Sequence, residues 1–149
     1  MRAGPKMVTV RITKRDPRAQ LPEYKTPGAA AFDLAVLEDS IVPARSHGLL
    51  RTGLGIGLPP DHVLHIYARS SLFAKHGLLL ANGVGVIDAD YCGPEDEILL
   101  SVWNPRDEEV RLAAGTRIAQ GIVLARPRVT WVVADADGAD RGGFGSTGH

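Results

Sequence analysis

Apolar and polar positions alternate along this chain with a period near two, in short runs that 17 glycines and 10 prolines interrupt. In "MVTVRI" the alternation sets Val8, Val10 and Ile12 on one side, and "DHVLHIYA" reads as a further strand. "RVTWVVA" sets Val129, Trp131 and Val133 against Thr130 and Val132. "DEILLSVWN" and "RIAQGIVLA" are more continuously apolar and predict more fully buried strands, bounded by "NPRDEE" and "AAGT" as turns. One segment, "SSLFAKHG", predicts a helix: it opens on serines suited to the N-cap, continues in helix formers and closes at Gly77. The stretch "LLLANGVGVIDADYCG" predicts a glycine-punctuated hairpin that ends in two aspartates and a tyrosine.

Many short strands with a single helical segment predict an all-β chain, a β-barrel or jelly-roll-like double sheet. Residues 1–149 are expected to form one domain, with no internal repeat and no low-complexity linker. The last stretch, 135–149, is glycine-rich and nearly devoid of aliphatics, and predicts a mobile C-terminal arm.

Charge narrows the partners. Lysine plus arginine and aspartate plus glutamate both number 17, so no overall imbalance recruits nucleic acid or an acidic membrane, and any anionic ligand must be met locally. A single cysteine, Cys92, cannot form an internal disulfide or a structural zinc site, which fits a reducing compartment and predicts a cytoplasmic protein. The amino end lacks the apolar core of a secretory signal, and no apolar run approaches the length of a bilayer span.

Several residues are candidates for chemistry. If a strand runs through them, Asp88 and Asp90 project from one face, where ionising both in a buried place is costly; a turn ending the strand is the plainer reading. Gly83 and Gly85 thin the expected hairpin face enough for a small flat molecule. Arg69, Ser70 and Ser71 can hold phosphate oxygens through guanidinium, hydroxyls and backbone N–H groups, or the serines can simply cap the helix. Gln120, which shares "RIAQG" with Arg117, either braces a loop or binds a ligand. "RGGFGSTG" suits a disordered tail, yet Phe144 is hard to justify on a tail that never docks, and such a backbone can wrap a polyphosphate while the ring covers a base. "GLGIG" is followed by Pro59 and Pro60 where a dinucleotide-binding helix should begin, and His62 and His65 face opposite sides of a strand. No Gly-x-Ser-x-Gly elbow is present, which speaks against covalent catalysis. Alone, these residues define a β-rich anion-binding domain.

In order, "AAFDL", "ARSSL", "NGVGVIDADY", "RIAQ" and "RGGFGSTG" resemble the five sequence blocks of the homotrimeric deoxyuridine triphosphatases, collinearly from about Ala29 to Gly148. The resemblance implies a jelly-roll-like β-barrel trimer with active sites between subunits. Its implied reaction is hydrolysis of dUTP to dUMP and pyrophosphate with Mg2+ on the triphosphate, which lowers dUTP and supplies dUMP for thymidylate synthesis. By resemblance, Asp88 orients the attacking water and meets the sugar 3′-hydroxyl, and Asp90 is structural. Tyr91 packs on the deoxyribose and excludes a 2′-hydroxyl, a discrimination by clash. Asn82 and the backbone near Val86 pair with uracil, while Arg69, Ser70, Ser71 and Gln120 hold the phosphates. Asp33 is associated with the hydrated magnesium. Phe144 closes over the uracil, and Arg141, Gly145, Ser146 and Thr147 reach the triphosphate.

Three departures from the family pattern stand out. The final block is two residues short between its arginine and "GGFG", Ser71 stands where glycine is common, and "CGPEDE" lengthens the turn after Tyr91. The added Glu95, Asp96 and Glu97 read as a solvated loop. A dCTP deaminase, or a bifunctional deaminase and triphosphatase, is the nearest alternative; it needs a proton-shuttling glutamate, for which Glu95 is the only nearby candidate. A non-catalytic nucleotide-binding module is the other, against which Asp88 and the arm with Phe144 argue.

Overall fold

The computed structural model describes residues 7–143. Its strands are β1 (Arg11–Lys14), β2 (Phe32–Ala35), β3 (Ser40–Val42), β4 (His47–Arg51), β5 (Leu54–Gly57), β6 (His62–Ala68), β7 (Leu79–Leu80), β8 (Gly85–Ile87), β9 (Leu99–Trp103), β10 (Val110–Leu112) and β11 (Arg117–Ala125). Every pairing is antiparallel. Among the described residues the ladders form four sheets, β1–β5, β3–β10, β2–β11–β6–β8 and β4–β9–β7, so the fold is all-β, although the ladders do not join into one closed ring.

The period-two pattern explains which side chains fill the interior. On β6, Leu64 and Ile66 are buried, while His65 and Tyr67 face the other way and share a 3.0 Å hydrogen bond. On β9, Leu100 and Val102 point inward and Leu99 and Trp103 outward. Leu34, Leu54, Leu72, Leu78, Ile98 and Ile118 complete the centre. Each fully buried leucine or isoleucine contributes about 1.5–3 kcal/mol. Asn104, completely buried, donates from Nδ2 to the carbonyls of Val42, Pro43 and Glu108 at 3.1, 3.0 and 2.8 Å, and its Oδ1 accepts the Arg106 N–H at 3.0 Å. It thereby ties the β3–β4 connection to the turn after β9.

Four local expectations change. Val8, Val10 and Ile12 do share a side, but they line an open apolar groove of about 620 Å³ with Leu21, Tyr24 and Phe32, and the strand begins only at Arg11. "RVTWVVA" forms no strand: Val129, Trp131 and Val133 are 65%, 87% and 102% exposed, because no strand edge of the same chain reaches them. "SSLFAKHG" forms one π-helical turn, Leu72–His76, closed by Gly77 at φ 66°; Ser71 occupies the N-cap without a side-chain cap hydrogen bond. Finally, the expected hairpin is not one. β7 pairs with β9 while β8 pairs with β6, so the turn between them steps from one sheet to another.

Candidate active site

That sheet-crossing turn makes room for a ligand. Val84 N–H donates to the Asn82 carbonyl at 2.8 Å, and Gly83 sits at φ 68°, a conformation side chains rarely tolerate. Gly85 lies opposite Ile66, where an added Cβ would stand 3.1 Å from the Ile66 Cβ. The two glycines therefore serve the turn and the close approach to β6, and the opening lies between β8 and β9, which belong to different sheets. Between them lies a hollow of about 200 Å³ lined by Val86, Ile87, Asp88, Tyr91, Glu97 and Leu99. Asn82 is exposed on the turn above.

Strand β8 ends at Ile87, and the Tyr91 N–H closes a turn onto the Asp88 carbonyl at 3.2 Å. Asp88 and Asp90 thus occupy a turn, and the same-face argument for a strand pair does not apply. Both are exposed. No hydrogen bond or ion pair among the described residues occupies the Asp88 carboxylate, which leaves it available to water or a ligand. Asp88 also borders a larger open hollow of about 680 Å³ with Asp90, Arg126 and Arg128, but Arg126 is already spent on the carbonyls of Pro60 and His62.

A second group gathers around Asp33. Across three adjacent strands Asp33, Gln120 and Tyr67 stand side by side. Arg117, three residues before Gln120, would face the opposite side in a regular strand; a bulge between Arg117 and Ala119 inserts one residue and brings it opposite Ala35, onto the Asp33 face. The Asp33 carboxylate, 9% exposed, then lies 3.0 Å from Arg69 Nε through Oδ1 and accepts Arg117 Nη1 at 3.0 Å through Oδ2. Arg69 also donates from Nη1 to the Arg117 carbonyl at 3.1 Å, and Gln120 Nε2 donates to the Ala68 carbonyl at 3.0 Å. Ser70 and Ser71 follow directly. Beside Gln120 an open hollow of about 490 Å³ is walled by Ala29, Ala30 and Ala31. Two guanidinium groups fixed by one carboxylate next to such a space suit a phosphate chain. The sequence alone assigns Arg117 no role; the bulge is what brings it to Asp33.

The two groups do not meet within one chain. The pairing of Leu64 with Ile87 sets Asp88 level with Val63, whereas Arg69 and Gln120 lie at the far end of β6. Arg69 lies six residues further along, roughly 20 Å at about 3.3 Å per residue, and Gln120, opposite Tyr67, lies four residues further, about 13 Å.

A third cluster, which no motif in the sequence signals, lies behind Tyr91. Tyr91 Oη donates to the Glu97 carbonyl at 2.9 Å. The Glu97 carboxylate, 15% exposed, accepts Gly53 N–H at 2.7 Å and Arg51 Nη2 at 3.1 Å. The hydrogen bond to Glu97, followed by that group's charge, raises the Arg51 pKa above its ordinary value. Glu97 is therefore no member of a solvated loop. Arg141 is described without regular structure, and Phe144, Gly145, Ser146 and Thr147 lie outside the described residues.

A family model for dUTPase matches residues 17–148. The chain belongs to the dUTPase family. A deoxyuridine 5′-triphosphate nucleotidohydrolase from Wolinella succinogenes is 38% identical over 146 residues, covering 96% of either chain. The crystal structure of the dUTPase from Streptococcus mutans superposes with a TM-score of 0.74 at 33% identity, over 82% of this chain and 98% of that one. Two phage structures share the fold. The Staphylococcus bacteriophage 80alpha dUTPase with dUpNHpp gives a TM-score of 0.79 at 22% identity, over 94% of this chain and 98% of that one. A mutant dUTPase from phage phi11 of S. aureus, whose structure concerns a structural Mg(II) ion, gives 0.72 at 18% identity, over 83% and 96%.

Proposed function

We propose that this dUTPase hydrolyses dUTP to dUMP and pyrophosphate by attack of water on the α-phosphorus, in sites shared between the subunits of a homotrimer. The observation that carries the reading is the Asp88 carboxylate, exposed at the lip of a hollow that also includes Tyr91. There it can take the proton of an attacking water as a bond forms to phosphorus and the bond to the pyrophosphate oxygen breaks. A positioned base supplies roughly 10²–10⁴-fold. Tyr91 stacks on the deoxyribose and leaves no space for a 2′-hydroxyl, and Asn82 with the backbone near Val86 reads the uracil edge.

Arg69, Ser70, Ser71 and Gln120 hold the triphosphate from a neighbouring subunit, a reading supported by the separation along β6 from Asp88, roughly 20 Å for Arg69 and about 13 Å for Gln120. The bare apolar segment Val129–Val133 fits the same picture: an unpaired run of this kind is satisfied by docking on another copy. The arm, 135–149, closes the site, with Phe144 over the base and Arg141, Gly145, Ser146 and Thr147 on the phosphates.

Magnesium, when bound, neutralises triphosphate charge and orients the leaving group. Among the described residues no group of three or more acidic, histidine or cysteine side chains is assembled to hold a metal. Mg2+ ordinarily keeps several waters and binds through substrate phosphates, so an indirect role for Asp33, through water, fits a carboxylate already shared by two arginines. Among the described residues no helix is long and apolar enough to cross a membrane. A cytoplasmic setting rests on the lone cysteine. Pyrophosphate release measured across dUTP, dTTP, dCTP and UTP tests the assignment: release confined to dUTP is expected, and ammonia from dCTP would replace it with deamination.

A further inference from the structure

The six residues after Tyr91, Cys92–Glu97, are fastened by two arginines distant in the chain: Arg15, just after β1, and Arg51 on β4. At the near end Arg15 donates from Nη2 to the Gly93 carbonyl and from Nε to the Asp96 carbonyl at 3.3 Å, and Asp96 Oδ2 accepts the Gly93 N–H at 2.7 Å. Arg15 reaches this loop by passing over Gly55, where an added Cβ would stand 2.8 Å from the guanidinium carbon and displace the arginine. At the far end the largely covered Glu97 carboxylate takes the Gly53 N–H and the Arg51 guanidinium, and the neighbouring Ile98 is held by its N–H to the Leu54 carbonyl at 2.8 Å and by its carbonyl to Thr52 Oγ1 at 2.6 Å. At this braced end the Glu97 carbonyl accepts a hydrogen bond from Tyr91 Oη at 2.9 Å. The tyrosine ring is therefore suspended between its own backbone and a strut whose position Arg51 and Glu97 set.

The geometry points to Glu97 as a positioning residue for sugar selection: its carboxylate, locked by Arg51 and Gly53, fixes the carbonyl that tethers Tyr91 and so holds the ring where a ribose 2′-hydroxyl would clash. This rests on the reading of Tyr91 as the surface that meets the deoxyribose. Exclusion by clash depends on a wall that cannot yield, and a ring free to swing by a fraction of an ångström admits the extra hydroxyl. Glu97 touches no substrate in this scheme. Its loss should move selectivity more than turnover.

The test compares kcat and KM for dUTP and UTP in the full-length enzyme carrying Glu97→Ala, Glu97→Gln, Tyr91→Phe, Tyr91→Ala or, as a control on the same loop, Glu95→Gln. Folding is checked by thermal melting. The proposal expects Tyr91→Ala to collapse the preference for dUTP and Glu97→Ala to reduce it by about tenfold, chiefly through a lower KM for UTP, the scale of one lost hydrogen-bonded tether. Tyr91→Phe, which cuts the tether and leaves Glu97 untouched, should reproduce much of that loss and stands in if Glu97→Ala does not fold. Glu97→Gln, which keeps the Gly53 contact, should recover part of the preference, and Glu95→Gln should leave it unchanged. Should Tyr91→Ala destroy selectivity while folded Glu97→Ala and Tyr91→Phe retain it, the positioning role is overturned and the stacking role survives. Selectivity unaltered in Tyr91→Ala overturns both.

Discussion

Asp88 and Arg69 stand at opposite ends of one strand: Asp88 lies level with Val63 at the start of β6, and Arg69 follows its last residue. Their separation along the strand, roughly 20 Å, sets a water-orienting carboxylate far from the phosphate clamp of the same chain. A site drawing one group from each of two chains removes the conflict. Mixing denatured Asp88→Asn and Arg69→Ala chains, each nearly inactive alone, and refolding them together should restore about a quarter of wild-type activity, since that share of randomly assembled sites receives both native residues. No recovery, with mixed oligomers demonstrated by mass, would mean that each site belongs to a single chain.

Asp88→Asn should leave dUTP binding nearly intact and lower kcat by about 10²–10⁴-fold, the usual worth of a positioned base. Because the side chain is exposed at the end of β8, the fold should not notice the change. Isothermal titration with a non-hydrolysable analogue beside single-turnover kinetics separates the two effects; near-normal turnover would remove Asp88 from the role.

Asp33→Asn replaces one of two carboxylate oxygens with an amide that presents N–H groups to a guanidinium. Arg69 and Arg117 then lose their common anchor. The loss of stability should be about 1–3 kcal/mol, below the figure for fully buried pairs because both arginines keep some contact with water. KM for dUTP should rise more than kcat falls, because the affected groups grip phosphate in ground and transition states alike. Chemical denaturation and steady-state kinetics on one preparation read both.

Asn104→Ala strands three carbonyls and one N–H that a single buried side chain now satisfies. A destabilisation of about 2–4 kcal/mol is expected, with kinetic constants per folded enzyme unaffected. Urea unfolding followed by tryptophan fluorescence measures it, and a change below measurement error would show that water replaces the amide.

Removal of the chain after Asp140 takes away Arg141 and the glycine-rich block with Phe144, and none of the buried core among the described residues. The truncated protein should melt near the temperature of the full chain yet release pyrophosphate far more slowly. Full activity in the truncated enzyme ends the proposal that the arm closes the site.

Local spelling was enough for the strands that bury one face, as β6 and β9 do, because alternation of side chains is a property of the extended backbone itself. It was also enough to place Asp88 and Tyr91 together, three residues apart on one turn. Pairing was beyond its reach. That β7 and β8 join different sheets, and that Arg117 crosses to the Asp33 face through a bulge, follow from which ladder each strand enters, a choice fixed by contacts among residues distant in the chain. Glu97 illustrates the same limit: in "GPEDE" it looks like any solvated acid, and only the approach of Gly53 and Arg51, more than forty positions earlier, makes it a half-buried anchor. "RVTWVVA" carries the period of a strand but lacks an edge to join, since a strand's hydrogen bonds, unlike a helix's, must be supplied from elsewhere.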